Sequence, residues 1–258
     1  MRRLSYAPLL LALLALAAVA PALADNASAP AADAFRPRED QLALLVDRAR
    51  TDAGVLPLAR SKELDQAAIA HANDMVASGD MDHDGVDGST PESRAADAGY
   101  QVPAGSAWLV VEVISARGDQ PDDALGWWLS DALHRRVVLR SYWREMGIGY
   151  APGGPYGRFW VMEFGCRPNV LPPVLLDGTL TIPDENCGSG GNAFGAVQSV
   201  RVGENADSLQ KADWQTYSAQ LSWTSGKPAL VEARDAQGKD ITTPASDPRG
   251  APAEPSQS

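Results

Sequence analysis

Near residue 170 the hydrophobic pattern of this chain changes period, which limits it to two unlike architectures in series. Before that point apolar residues alternate between helical and strand spacing. After it the helical spacing vanishes, and short strand-like runs follow one another between Gly, Asn, Asp and Ser. Leu42, Leu45, Val46, Ala49 and Ala53 share one face of a helix expected over residues 37–54. Ser61 is placed to cap a second helix with the stripe Leu64, Ala68, His71 and Met75, ending near Gly79. Thr90-Pro91 opens a short third helix closed by Gly99. Residues 108–115 read as a strand. A fourth helix starts near Pro121, with Asp122 and Asp123 at the positive end of its dipole, and runs to His134. Residues 146–151 and 158–165 read as a hairpin around a Gly-rich loop. Helices with a small antiparallel sheet give an α+β class, an α/β/α sandwich. The runs at 197–202, 216–223 and 228–234 read as a small all-β sandwich.

Charge narrows the partners. The 258 residues carry 22 Lys and Arg against 33 Asp and Glu, a formal net charge of −11. Duplex nucleic acid is excluded as a default partner, because phosphate binding needs a basic footprint. An anionic membrane surface is disfavoured on the same ground. The ends carry no fold: Arg2 and Arg3, an apolar run over 7–20 and Ala22-Leu23-Ala24 read as a signal peptide over residues 1–24. Residues 25–36 read as a flexible leader, 167–173 as a linker with three Pro, and 243–258 as a disordered tail. No later stretch reaches 18 apolar residues, so no transmembrane segment is expected and the mature protein is expected to be secreted and extracellular. Cys166 and Cys187 are the only cysteines, an even count in an oxidising compartment, so a disulfide is expected. It would close a loop of 20 intervening residues, a constraint of about 3 kcal/mol on the chain-entropy model.

Chemistry-bearing residues are few. Of the three His, His83 lies in the Gly/Asp-rich loop MDHDGVDGSTPESR (81–94) and His134 in WWLSDALHRRVVL (127–139). Glu112 interrupts the apolar run WLVVEVI (108–114), where a carboxylate is costly to bury unless paired or coordinated. Two imidazoles and a carboxylate suit a divalent metal with an open position for water. Asp131, three residues before His134, would lie on a neighbouring face of a continuous helix and is the fourth candidate. Spacing alone does not make this a metal site, since the ligands are scattered over 52 residues. His71, on the apolar stripe of its helix, reads as a core His bonded to backbone rather than a ligand. No G-x-S-x-G, Walker loop or dinucleotide fingerprint occurs.

These segments resemble the CAP superfamily, the cysteine-rich secretory, antigen 5 and pathogenesis-related proteins, in its bacterial branch. The resemblance covers roughly residues 38–166. It runs through LALLVDRARTDAGVLPLARSKELDQAAIAHANDM (42–75), DGSTPESR (87–94) after His83, WWLSDALHR (127–135) and MGIGYAPGGPYGRFWVMEFG (146–165), in family order. It implies an α/β/α sandwich over 37–166 with a cleft where a His–Glu–Glu–His tetrad holds zinc or another divalent cation. By position His83 and His134 match the two His, and Glu112 the Glu of the family's G-E-N-I strand. Val111 and Val113 replace the Gly and Asn of that motif. The second Glu has no clear counterpart, with Asp131 as substitute. Residues 174–242 resemble bacterial immunoglobulin-like modules through ADWQTYSAQLSWTSGKPALVEARDAQG (212–238). The resemblance implies a secreted binding module for a small apolar ligand, a peptide or an extracellular protein. The alternative is a metal-assisted or Glu/His-dependent hydrolase with Glu112 as its base.

Overall fold

The computed structural model describes residues 36–101, 109–168, 170–184 and 194–248; the expected signal peptide, the leader up to residue 35, Trp108 and Cys187 lie outside them, while Arg36, expected to end the leader, already belongs to the first helix. Helix α1 (Arg36–Asp52) buries Leu42, Ala43 and Val46, the stripe read from the sequence. A two-residue strand β1 (Ala59–Arg60) leads into α2 (Lys62–Ser78). Ser61 caps α2 by accepting the Leu64 N–H, and Gly79 stops it at φ 80°, a left-handed conformation that glycine adopts without a Cβ clash. Helix α3 (Pro91–Asp97) starts with a capping box between Thr90 and Ser93. Strand β2 (Leu109–Ser115) follows.

The fourth expected helix is two: α4 (Pro121–Ser130) and α5 (Ala132–Val138), broken at Asp131, whose backbone is extended at φ −93°, ψ 133°. The Asp131 carboxylate accepts the N–H groups of Leu133 and His134, both at 3.0 Å. A short side chain that satisfies the backbone this way starts a new helix rather than continuing the old one. The reading of Asp131 and His134 on one continuous helix is therefore corrected. The hairpin forms as expected, β3 (Glu145–Pro152) with β4 (Arg158–Cys166).

The sheet order is β1-β3-β4-β2, with β1 parallel to β3 and the other pairings antiparallel. Alternation along β2 splits its side chains between two layers. Val110 joins Leu64, Ala67 and Tyr100 on the α2–α3 side, while Val113 joins Leu42, Ala124 and Trp128 on the α1–α4 side. The result is the expected α/β/α sandwich. Close approach of α2 needs the two glycines of M-G-I-G-Y. A Cβ on Gly147 would meet the Leu64 backbone at 2.0 Å, and one on Gly149 the Ala68 backbone at 2.3 Å.

The second region comprises β5 (Val174–Leu176), β6 (Thr179–Thr181), β7 (Val197–Gly203), α6 (Ala206–Lys211), β8 (Gln215–Thr216), β9 (Gln220–Ser222), β10 (Leu230–Asp235) and β11 (Asp240–Pro244). Its sheets, ordered β11-β10-β7-β8 and β5-β6-β9, share one core through Leu180, Ile182, Val200 and Val231. A small all-β module is thus present, with three departures from the reading above. A helix does occur, α6, nucleated by the Asn205–Ser208 capping box. The run at 216–223 is divided between the two sheets as β8 and β9. Thr243 and Pro244, expected to open a disordered tail, pair with β10 instead, and residues 249–258 lie outside the described residues. Residues expected to form a linker are held as well: Arg167 bonds Glu145 at 2.5 Å and lies 4.3 Å from the Tyr100 ring centroid. Ser246 in turn accepts the Arg60 N–H at 2.9 Å, so the β region is fastened to β1.

Candidate functional site

Glu112, Glu163 and Gly147 are register partners across β2, β4 and β3, one row on the α2 face of the sheet. With no side chain on Gly147, the row presents two adjacent carboxyl groups under α2 and the loop before α3. Glu112 has a fully buried side chain, and each oxygen has a partner. Oε1 accepts from His83 Nδ1 at 2.7 Å, and Oε2 accepts from Arg94 Nη2 at 2.8 Å. A carboxylate can only accept, so the Nδ1 of His83 carries the proton in this bond. Arg94 is fixed by donating also to the carbonyls of Ser89 and His83, at 3.0 and 3.1 Å. It thereby ties the His83 loop to the start of α3.

Glu163 is the unusual member. Neither of its oxygens meets a hydrogen-bond donor, and Arg94 stands off at 4.0 Å. Burial, and then the neighbouring Glu112, push its carboxyl well above the usual range. His83 moves upward too, chiefly through its hydrogen bond to Glu112 and against partial desolvation. Its side chain is half exposed, so the ring is anchored at Nδ1 and open to solvent beyond. His71 behaves as a core histidine: its buried Nε2 donates to the Asp82 carbonyl at 2.8 Å and lies 3.6 Å from Glu112.

Among the described residues His134 makes no hydrogen bond or ion pair to this cluster. Its Nδ1 bonds Asp131 at 2.7 Å, and its ring lies 4.6 Å from that of Trp127 at a tilt of 53°. Helix α5 sends Val138 into the core on the α1–α4 side, opposite the Glu112 face, with Val137 half-buried against it. The structure thus joins His83 to Glu112 and His134 to Asp131, as two pairs. The four residues do not fit a metal ion as arranged. Both Glu112 oxygens are engaged by His83 and Arg94. Among the described residues, no group of three or more His, Cys, Asp or Glu is placed to hold one. Asp131, offered as the substitute fourth ligand, serves as a helix cap, and its carboxyl is pulled down by the hydrogen bonds from His134.

Sequence reasoning missed Glu163 and Arg94. A signal for Glu163 exists, since it interrupts the apolar run FWVMEFG as Glu112 interrupts WLVVEVI. Arg94 stood inside a recognised segment without a role, and only the fold brings its guanidinium to Glu112. Cys166 is buried at the end of β4 and is not a free thiol. Its expected partner Cys187 lies outside the described residues.

Comparison with known proteins places this site. Three solved structures are similar to this chain over about half of its length. An extracellular protein from Bacillus anthracis containing an SCP domain is 24% identical, at TM-score 0.43, covering 49% of this chain and 39% of that one. An outer surface protein from Borrelia burgdorferi is 18% identical, also at 0.43, covering 50% and 92%. A cysteine-rich secretory protein from Staphylococcus aureus is 15% identical, at 0.39, covering 50% and 38%. This chain therefore spans about two-fifths of the Bacillus and Staphylococcus proteins. None of the curated proteins compared matches it. The model of the cysteine-rich secretory protein family, CAP, matches residues 44–164, which begin in α1, end in β4 and contain the whole Glu112 cluster. Residues 44–164 thus form a CAP domain.

Proposed function

We propose that the protein is an extracellular binding module whose CAP domain presents His83 to a polar group of its ligand, a peptide or an envelope component. One observation carries this reading: the half-exposed His83 ring is fixed from behind by a buried carboxylate that Arg94 itself braces. Such a ring is pre-oriented, so little side-chain freedom is lost when a ligand bonds its outer nitrogen. Export is supported by the leader-like N-terminal segment and by an even cysteine count. No described helix is long and apolar enough to cross a membrane. Pairing of Cys166 with Cys187 belongs to the same reading. Intact mass after alkylation, with and without reductant, checks it, and two alkylated thiols in the unreduced sample would remove that support.

The same dyad favours one other reading, hydrolysis with His83 as a base oriented by Glu112. Binding is preferred because no Ser, Thr or Cys hydroxyl or thiol bonds the ring among the described residues, so the dyad activates no protein nucleophile. The test is a panel of peptide, ester and glycan substrates offered to the wild type and to His83→Ala, which removes an exposed ring and leaves Glu112 paired with Arg94. The expected result is no turnover above background in either. Turnover lost in His83→Ala at an unchanged melting temperature would replace the binding reading with hydrolysis.

A further inference from the structure

Val111 and Glu112 point to opposite faces of β2, so the side of the sheet away from His83 is a separate surface. There α5 and the turn after it leave an open groove of about 710 Å³ over β2. Val111, Val137 and Trp143 form its apolar lining, and Arg135, Arg136 and Arg140 supply its charge. No acidic residue lines it among the described residues. Arg140 is steadied over the rings of Tyr142 and Trp143, 5.4 and 5.2 Å from their centroids. From below, Arg50 donates to the carbonyls of Val138 and Arg140 at 2.5 and 3.2 Å, which fixes the backbone that carries the groove wall. In a chain of net charge −11, these three guanidinium groups, with no acidic residue among the described lining, are a local concentration of positive charge.

We propose that this groove binds an acidic peptide segment in extended form, its carboxylates pairing with Arg135, Arg136 and Arg140 and its apolar side chains lying on Val111 and Val137. Three cations spread over six positions suit a ligand with several carboxylates rather than a single anionic head. Guanidinium forks bond carboxylates in pairs, and the apolar lining between them accepts the intervening side chains. An extended chain is favoured because β2 lies at the end of its sheet, paired only with β4 among the described strands. A bilayer is the weaker occupant, since the acidic molecule as a whole is repelled from an anionic membrane surface.

Fluorescence anisotropy with a fluorescein-labelled peptide, Glu-Leu-Glu-Val-Glu-Leu-Glu, tests this on the full chain. Controls are the same peptide with Gln for every Glu, and sedimentation with phosphatidylglycerol vesicles. Saturable binding is expected, falling as salt is added, and weakening by about tenfold or more in the Arg135→Gln, Arg136→Gln double variant through loss of charge-assisted bonds. Arg140→Gln should weaken it as well, and Arg135→Lys with Arg136→Lys should keep part of it, which separates lost charge from lost fold. His83→Ala should leave it unchanged, so this result stands or falls apart from the function proposed above. Equal binding of the Gln peptide, indifference to all three Arg substitutions, or binding to vesicles without binding to the peptide would each overturn the proposal.

Discussion

His83 and His134 each meet a carboxylate oxygen at 2.7 Å, yet the two pairs are built in opposite ways. In the first the carboxylate is buried and the imidazole half exposed, so Glu112 serves to hold a ring toward solvent. In the second the carboxylate is the more exposed partner, at 44% against 26% for the ring, and Asp131 is already occupied in capping α5. The same contact distance therefore marks a built site in one place and a local helix device in the other. Burial and third partners distinguish them, and distance does not.

The comparison breaks most readily on stability. Glu112→Ala leaves the buried Arg94 with Glu163 at 4.0 Å as its nearest carboxyl. Breaking a buried pair from one side costs about 3–5 kcal/mol, and urea denaturation reads it directly. Asp131→Ala should cost about 1 kcal/mol, the usual loss for a helix cap. Equal losses would mean that the two pairs are not different in kind.

A second prediction extends the buried side of the contrast to α1. Glu39 and Asp47 are both pushed up to about 7, mainly by burial. Their folded forms therefore hold protons that the unfolded chain has released, so stability falls as pH rises from about 4 toward 7 and levels off above. The loss from Asp47 is on the order of 4 kcal/mol. Asp47→Asn, which can still accept the Leu58 N–H that Asp47 accepts at 2.8 Å, should flatten the profile. A profile that rises across this window would contradict the burial argument. The smallest effect concerns metal: treatment with a chelator should leave the melting temperature of the wild type within about 1 °C, because a few tenths of a kcal/mol moves it little.

Much of the fold was legible because its signals are local. Ser61, Gly79, Thr90 and the hairpin loop are caps and turns whose chemistry acts over a few residues, and each lies where the pattern placed it. The break at Asp131 was missed because capping and helix continuation compete at the same spacing. In the β region, α6 is six residues long, too short to show a period, and β5 and β6 are three residues each, too short to show alternation, with β6 completing its pairing on β9 far along the chain. The site divides in the same way. Glu112 was found from its cost in an apolar strand, but its bonds to His83 and Arg94 span 29 and 18 residues, and no local pattern encodes them. The grouping of His83 with His134 came from position along a family pattern, which carries no information on which carboxylate each one bonds.

With only three histidines in the chain, imidazole nitrogen resonances followed by long-range ¹H–¹⁵N NMR test the separation of the two pairs most directly. Glu112→Gln removes the charge at one pair and Asp131→Asn at the other. Glu112→Gln should move the His83 signals, and those of His71 to a lesser degree, while His134 stays in place. Asp131→Asn should move His134 alone. A shift of His134 in Glu112→Gln, or of His83 in Asp131→Asn, would show that the two pairs share one site and would contradict the account.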